Sequence, residues 1–544
     1  MKRKLLTLGV AIVFTLSATL SAFAAVNPAK VITRNWTNFR GNQSHNAVVS
    51  DKLPTSAENA ALYWATKAGE GYGDGAIGSP ILVDGYLYFN QGKKIKKMDA
   101  MSGKVVATGK MVERSNFSII PPTYGEGKIF VGLANGRIQA FDAKTLKSLW
   151  VYQDKLKGQP NSPITYYKGY VYTGFWNSET RTANFACVSA KDGNTKKTTE
   201  KKSAKWVYPN AGGYYWAGAY VSDNFVLVGT DDGDGGYTAQ TSRLLSLSPK
   251  TGKKIDSIEG LNADIRSNVS YDKVTDRYYF TSKGGSFYSV KVSKTGKLSD
   301  LKELDLGGMS TSTPAIYNGR AYVGVSGKGQ FDKYNGHRIA VIDLASFTIA
   351  YTASCMGYPQ TSGLISTAYE KSEGYVYVYF FENMTPGKLR YLKDKPGQTE
   401  VVDAVTETAA DGKTYTCAPV LFTPQQEQAQ YAICSPICDE YGTIYFKNDS
   451  AHMMALGSKI TSIKVTKQPK KTVYQAGEKF SKTGMKVTAY LANGKKKDIS
   501  QYVTVSTFPL KKGTRDITVY YQYQLYNDME QCDTLFTSVD ITVK

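Results

Sequence analysis

Apolar and polar residues alternate with period two over short runs along most of this chain, and turn residues separate the runs. Residues 121–150 show the pattern most clearly. Thr123-Tyr124 precedes Gly125-Glu126-Gly127, residues 128–132 follow, Asn135-Gly136 leads into residues 137–142, and a further run opens on Trp150. Asn-Gly accepts the positive φ of a two-residue hairpin turn, so the stretch predicts four short strands in a meander. One such unit cannot bury both faces and needs neighbours.

The neighbours are present. Comparable units begin near Ser79, Asn161, Ala217, Ser267, Ser312, Gly363 and Ser435. With residues 121–150 they make eight units at spacings of roughly 40 to 70 residues, which predicts an all-β, eight-bladed β-propeller. Seven blades is the alternative if the irregular last two units are miscounted. The run Ala61-Leu62-Tyr63-Trp64-Ala65 falls where the outer strand of the last blade would close the ring. The repeat stops near Gly457. From Ile460 onward, short strands around an Asn493-Gly494 turn suit a small β-sandwich.

Composition agrees: 40 Tyr and 50 Gly in 544 residues favour strands and turns. Residues 1–25 stand apart. Lys2-Arg3-Lys4, an apolar run from Leu5 to Leu20 and Ala22-Phe23-Ala24 have the form of a signal peptide, so the expected protein is secreted or attached to the cell envelope. No other stretch has the length and apolarity of a membrane span. The formal charge of +21 suits attraction to anionic envelope polymers, and no nucleic-acid motif accompanies it. The expected partner is therefore an envelope or extracellular glycan or protein, engaged by a monomer. Of the six cysteines, Cys417, Cys434 and Cys438 are close enough in sequence for a local bridge.

Trp36, Phe39, Arg40, Gly41 and Trp64, followed by repeated Ser-Pro…Asp-Gly-Tyr-x-Tyr and Asp-Ala-x-Thr/Ser-Gly/Leu-Lys patterns, resemble the pyrroloquinoline-quinone-like β-propellers over about residues 35–457. Lys470–Glu478, Gly484-Met485-Lys486-Val487 and Asn493-Gly494 resemble bacterial Ig-like domains of group 3, over residues 460–544. The first resemblance implies a family with both quinone-dependent dehydrogenases and cofactor-free scaffolds. Its dehydrogenases carry vicinal cysteines and a calcium site. This sequence has neither a Cys-Cys pair nor a Cys-x-x-Cys-His haem motif, so the reading is that no cofactor is bound. The one candidate ion is calcium at Asp231, Asp232 and Asp234, the densest acidic group.

With strands running from the inside of each blade outward, the loops between second and third strands share a face with the loops entering each blade. That face collects aromatics suited to stacking on a glycan or anchoring a peptide: Tyr72, Phe117, Trp176, Tyr215, Trp216, Tyr237, Tyr334 and Tyr358. The expected function is a non-enzymatic binding or scaffold protein. A carbohydrate-active enzyme with paired carboxylates is the rival, and a quinone-dependent dehydrogenase comes third. A scaffold resembling the propeller lipoprotein of outer-membrane protein assembly is disfavoured by the missing lipidation cysteine and the added Ig-like module.

Overall fold

The computed structural model describes residues 32–71, 73–115, 120–192, 200–235, 239–327, 336–409, 411–524 and 532–544. The leader at residues 1–25 and the candidate residues Tyr72, Phe117, Tyr237 and Tyr334 lie outside them.

Among the described residues, eight sheets surround one axis, and each is built on antiparallel strands. Blade 1 comprises Ile81–Val83, Tyr86–Gln91, Lys94–Asp99 and Val105–Lys110; blade 2 comprises Thr123–Gly125, Lys128–Leu133, Arg137–Asp142 and Ser148–Gln153. Blades 3, 4 and 5 begin at Thr165, Tyr220 and Ser270, and blades 6, 7 and 8 at Ala315, Leu364 and Ile437. The eighth blade takes its outer strand from the beginning of the chain. Ala60–Lys67 lies antiparallel to His452–Ser458, as expected of the run around Tyr63, and closes the ring. Closure of this kind couples the chain ends and removes an exposed strand edge.

The same two devices recur from blade to blade. Asp99, Asp142 and Asp343 end third strands, and each carboxylate accepts backbone N–H groups two and three residues on. This Asx geometry turns the chain toward the fourth strand. A tryptophan in one blade then reaches the corresponding turn of the next: Trp64 Nε1 donates to Ala100 O at 3.2 Å, Trp150 Nε1 to Ala190 O at 3.4 Å, and Trp206 Nε1 to Pro249 O at 3.0 Å. Apolar clusters between adjacent blades fill the remaining space.

The seventh unit is irregular in sequence because residues 395–419 interrupt it between its third and fourth strands. Val405–Thr408 and Thr414–Cys417, from that insertion, extend the outer edge of blade 6. Cys417 thus belongs to blade 6, whereas Cys434 and Cys438 sit at blade 8; all three are buried free thiols, and the expected local bridge is absent. The Ig-like part has two three-stranded sheets and a two-stranded pair. It rests on blade 8, where the Tyr63 and Tyr523 rings meet edge to face at 5.9 Å. Among the described residues, no helix is long and apolar enough to cross a membrane.

The segment before Ala60 stands outside the repeat. It crosses the axis along the innermost strands. Trp36 exchanges hydrogen bonds with Leu82 of blade 1, Thr37 O accepts from Tyr124 N of blade 2, Ser44 O from Tyr271 N of blade 5, and Ala47 O from Ile365 N of blade 7. Val48–Val49 then pairs with the inner strand of blade 7.

Candidate functional site

This crossing segment places Phe39 at the axis. Around it the loops entering seven blades converge on one pocket, open to solvent. Ile120 comes from the loop entering blade 2, Pro163 from blade 3, Trp216 from blade 4 and Arg266 from blade 5. Thr311 and Thr313 precede blade 6, Gln360, Thr361 and Ser362 precede blade 7, and Ile433 and Ser435 precede blade 8. The repeat explains this ring. Each unit begins just before its inner strand, often at Ser-Pro or Thr-Pro, so equivalent positions meet at the centre. Apolar surface from Phe39, Ile120, Pro163 and Trp216, with hydroxyls and an amide between, is the usual make-up of a small-molecule site.

One wall is ionic. Arg266 Nη2 lies 2.7 Å from Glu179 Oε2, 2.7 Å from Asp231 Oδ2 and 2.9 Å from Asp264 Oδ2. Lys283 Nζ stands 3.8 Å from Asp264. Burial raises the Asp231 carboxyl well above the ordinary range against the pull of Arg266. Burial also opposes the Arg266 charge, but Asp231 and Asp264 outweigh it and hold the guanidinium firmly protonated. Asp232 is pushed up to about 6 by burial, with Asp264 adding to the effect.

Of the aromatics expected on this face, Trp176, Tyr215 and Trp216 come together: the first two rings are 5.0 Å apart and the second two 4.9 Å. Arg266 lies over Tyr215 at 4.3 Å, which joins the aromatic group to the ionic wall. Tyr358 is fully buried, and its hydroxyl accepts from Thr311 N at 2.9 Å. It supports a pocket-lining residue and does not reach the pocket.

The acidic group needs correction as well. Asp231 turns inward to Arg266, the Asp232 backbone donates to Asp264, and Asp234 is linked to Asp232 through its own N–H. These three carboxylates do not share a centre. The set that converges is Glu179, Asp231 and Asp264. Arg266 stands inside it, so no free carboxylate pair for glycoside cleavage exists there. Arg266 belongs to no motif, and Phe39 stands out in the sequence only within the family resemblance at Trp36, Phe39, Arg40 and Gly41, which assigns it no chemistry.

The chain matches the family model for outer membrane protein assembly factor BamB over residues 55–200 and that for bacterial Ig-like domains of group 3 over residues 467–527. It is 25% identical over 242 residues to the dehydrogenase subunit of the quinone alcohol dehydrogenase of Gluconobacter oxydans, and 26% identical over 247 residues to that of Acetobacter aceti. These matches span 41% and 42% of this chain but 29% and 30% of those relatives. In fold, the chain is similar to quinohemoprotein alcohol dehydrogenase from Comamonas testosteroni, with a TM-score of 0.55 at 15% identity, covering 81% of this chain and 83% of that one.

The protein is therefore a β-propeller, of which residues 55–200 match the BamB-type repeat model. More particularly, it joins that propeller to a bacterial Ig-like domain of group 3 and is homologous to quinone alcohol dehydrogenases and BamB-type propellers. These relatives overturn the reading that no cofactor belongs with this sequence, since the matched curated proteins are quinone enzymes by name.

The fit to a quinone and a metal differs between the two. The axial pocket offers apolar walls with hydroxyls and an amide between them. The carboxylate set beside it has the donors for a divalent ion, but the Arg266 guanidinium fills its centre at 2.7 to 2.9 Å. A divalent ion and that guanidinium cannot occupy the same place, and no redox step follows from this geometry.

Proposed function

We propose that this is a ligand-binding propeller of the cell envelope or exterior, and that its axial pocket takes a small planar ring bearing carbonyl or hydroxyl groups. A quinone is the first class to test. One observation carries the reading: the loops of seven blades and the crossing segment build a single pocket of apolar walls and hydroxyls around Phe39. The kinship to quinone enzymes supports the choice of ring. The aromatic group of Trp176, Tyr215 and Trp216 extends the surface outward for a glycan or a protein partner, and the Ig-like module acts as a spacer.

The test is titration of the full chain with pyrroloquinoline quinone and, separately, with wall-derived oligosaccharides, read by tryptophan fluorescence and calorimetry. Saturable quinone binding that weakens at least tenfold in Trp216→Ala is the expected result. Absence of saturable binding to either class would sink the reading. Alcohol-dependent dye reduction by the loaded protein would move it to the dehydrogenase class.

A further inference from the structure

A second axial site lies next to the first and has a different chemistry. Arg40 is only 1% exposed. Its Nη1 donates to Ser362 O at 3.2 Å and its Nη2 to Gly363 O, while Nε has no partner. Among the described residues, no carboxylate pairs with it. Burial alone lowers its pKa, to about 9, as expected of a cation without a counter-charge. Trp36, 3% exposed, likewise keeps an unpartnered Nε1–H.

Both residues line one small cavity, which shares Phe39 and Ser435 with the loop-face pocket. The chain adopts an unusual conformation to present them. Arg40 and Gly41 both have positive φ, at 68° and 79°, and a Cβ on Gly41 would lie 2.8 Å from the Trp36 ring. Left-handed backbone at a non-glycine residue costs free energy and persists where its surroundings impose it.

We propose that this cavity binds one monovalent anion of halide size, held by Arg40 and Trp36. Guanidinium and indole N–H groups are donors only, so their vacant partner must be an acceptor; Ser79 Oγ and Asn38 Oδ1 of the same lining also lack partners. Water accepts but leaves the charge uncompensated, and burying an uncompensated cation is costly. A halide satisfies the donors and neutralises the charge. The cavity is small and walled by Trp36, Arg40, Ser79, Pro80 and Pro121, which favours a compact anion. Because Phe39 lies between the two sites, an anion there would also fix the floor of the loop-face pocket. The proposal stands independently of which ligand that pocket takes.

The test is thermal melting of the full chain while sodium bromide replaces sodium gluconate at constant ionic strength. Bromide should raise the melting temperature saturably, by a few degrees, and sulfate should not reproduce the saturation. Arg40→Gln should abolish the bromide effect; an equal effect in that variant would overturn the proposal. Should Arg40→Gln fail to fold, anomalous diffraction from bromide-soaked wild-type crystals decides instead. A peak within hydrogen-bond reach of Arg40 Nε and Trp36 Nε1 supports the site, and water or empty density there refutes it.

Discussion

Arg266 holds Asp231 with two hydrogen bonds, Nε to Oδ1 at 3.3 Å and Nη2 to Oδ2 at 2.7 Å, while the same Nη2 reaches Glu179 and Asp264. One guanidinium therefore ties the loops of blades 3, 4 and 5 together. Removing it leaves buried like charges facing one another. Arg266→Met should destabilise the protein by about 3–5 kcal/mol, the range for breaking a buried ion pair from one side. Added calcium should recover part of that loss in the variant, since the three carboxylates then have an open centre. Denaturant midpoints with and without calcium check both statements; an Arg266→Met protein as stable as wild type would show that the cluster is not coupled.

The pH dependence should contain two opposing contributions. Asp232 titrates near 6 in the fold, above its unfolded value near 4. Between those values the folded state keeps the proton, so stability falls as pH rises from 4 to 6. His45 titrates near 4, because burial lowers it from 6.5. Between 4 and 6.5 the unfolded state keeps the proton, so stability falls as pH drops through that window. Relative to wild type, Asp232→Asn should gain about 2–3 kcal/mol from pH 4 to 7, and His45→Gln about 3 kcal/mol from pH 7 to 4. Parallel stability–pH curves for variant and wild type would contradict either assignment.

Trp206 and Gly252 report on the joint between blades 3 and 4. Gly252 has φ of 72°, and a Cβ there would lie 2.6 Å from the Trp206 ring. Trp206→Ala should cost about 3–5 kcal/mol through lost packing. Gly252→Ala should cost a few kcal/mol in the native background, but only about 1 kcal/mol, its backbone strain, once Trp206 is already Ala. Additive losses in the double variant would exclude a steric contact between them.

These joints explain why the fold was readable and the site was not. Asn135-Gly136, the Asp142 turn and the alternation in residues 128–142 are local, so each unit announces itself. The run around Tyr63 announces ring closure in the same way. Phe39 reaches the axis only because residues 36–49 hydrogen-bond to strands tens to hundreds of positions away, which no periodicity records. Asp231 reads as one of three candidate calcium ligands in a run of Asp and Gly, yet it is 1% exposed and turned to a guanidinium. Its partner Arg266 lies 35 residues on, in a loop without a motif.

The Ig-like part should depend on Lys497 for its docking. That side chain is 4% exposed, and its Nζ lies 3.6 Å from Asp439 Oδ2 of blade 8. The ammonium also faces the rings of Tyr63 at 5.6 Å and Tyr441 at 5.1 Å, in cation–π range. Asp439 is otherwise engaged by Tyr445 OH at 2.9 Å and by the N–H groups of Tyr441 and Thr443. Nearby, Tyr502 OH reaches Asp99 Oδ2 at 3.2 Å, a contact to blade 1. Lys497→Ala would leave the Asp439 carboxylate buried without its cation, at a cost of about 3–5 kcal/mol. Much of that cost should appear as release of the module, because the strands of blade 8 keep their own hydrogen bonds. Small-angle scattering should show a larger radius of gyration for Lys497→Ala, and proteolysis should cut it near Lys459 faster than wild type. Lys497→Ala combined with Asp439→Asn should recover part of the docking. A variant as compact and resistant as wild type would show that the apolar contact of Tyr63 with Tyr523 suffices.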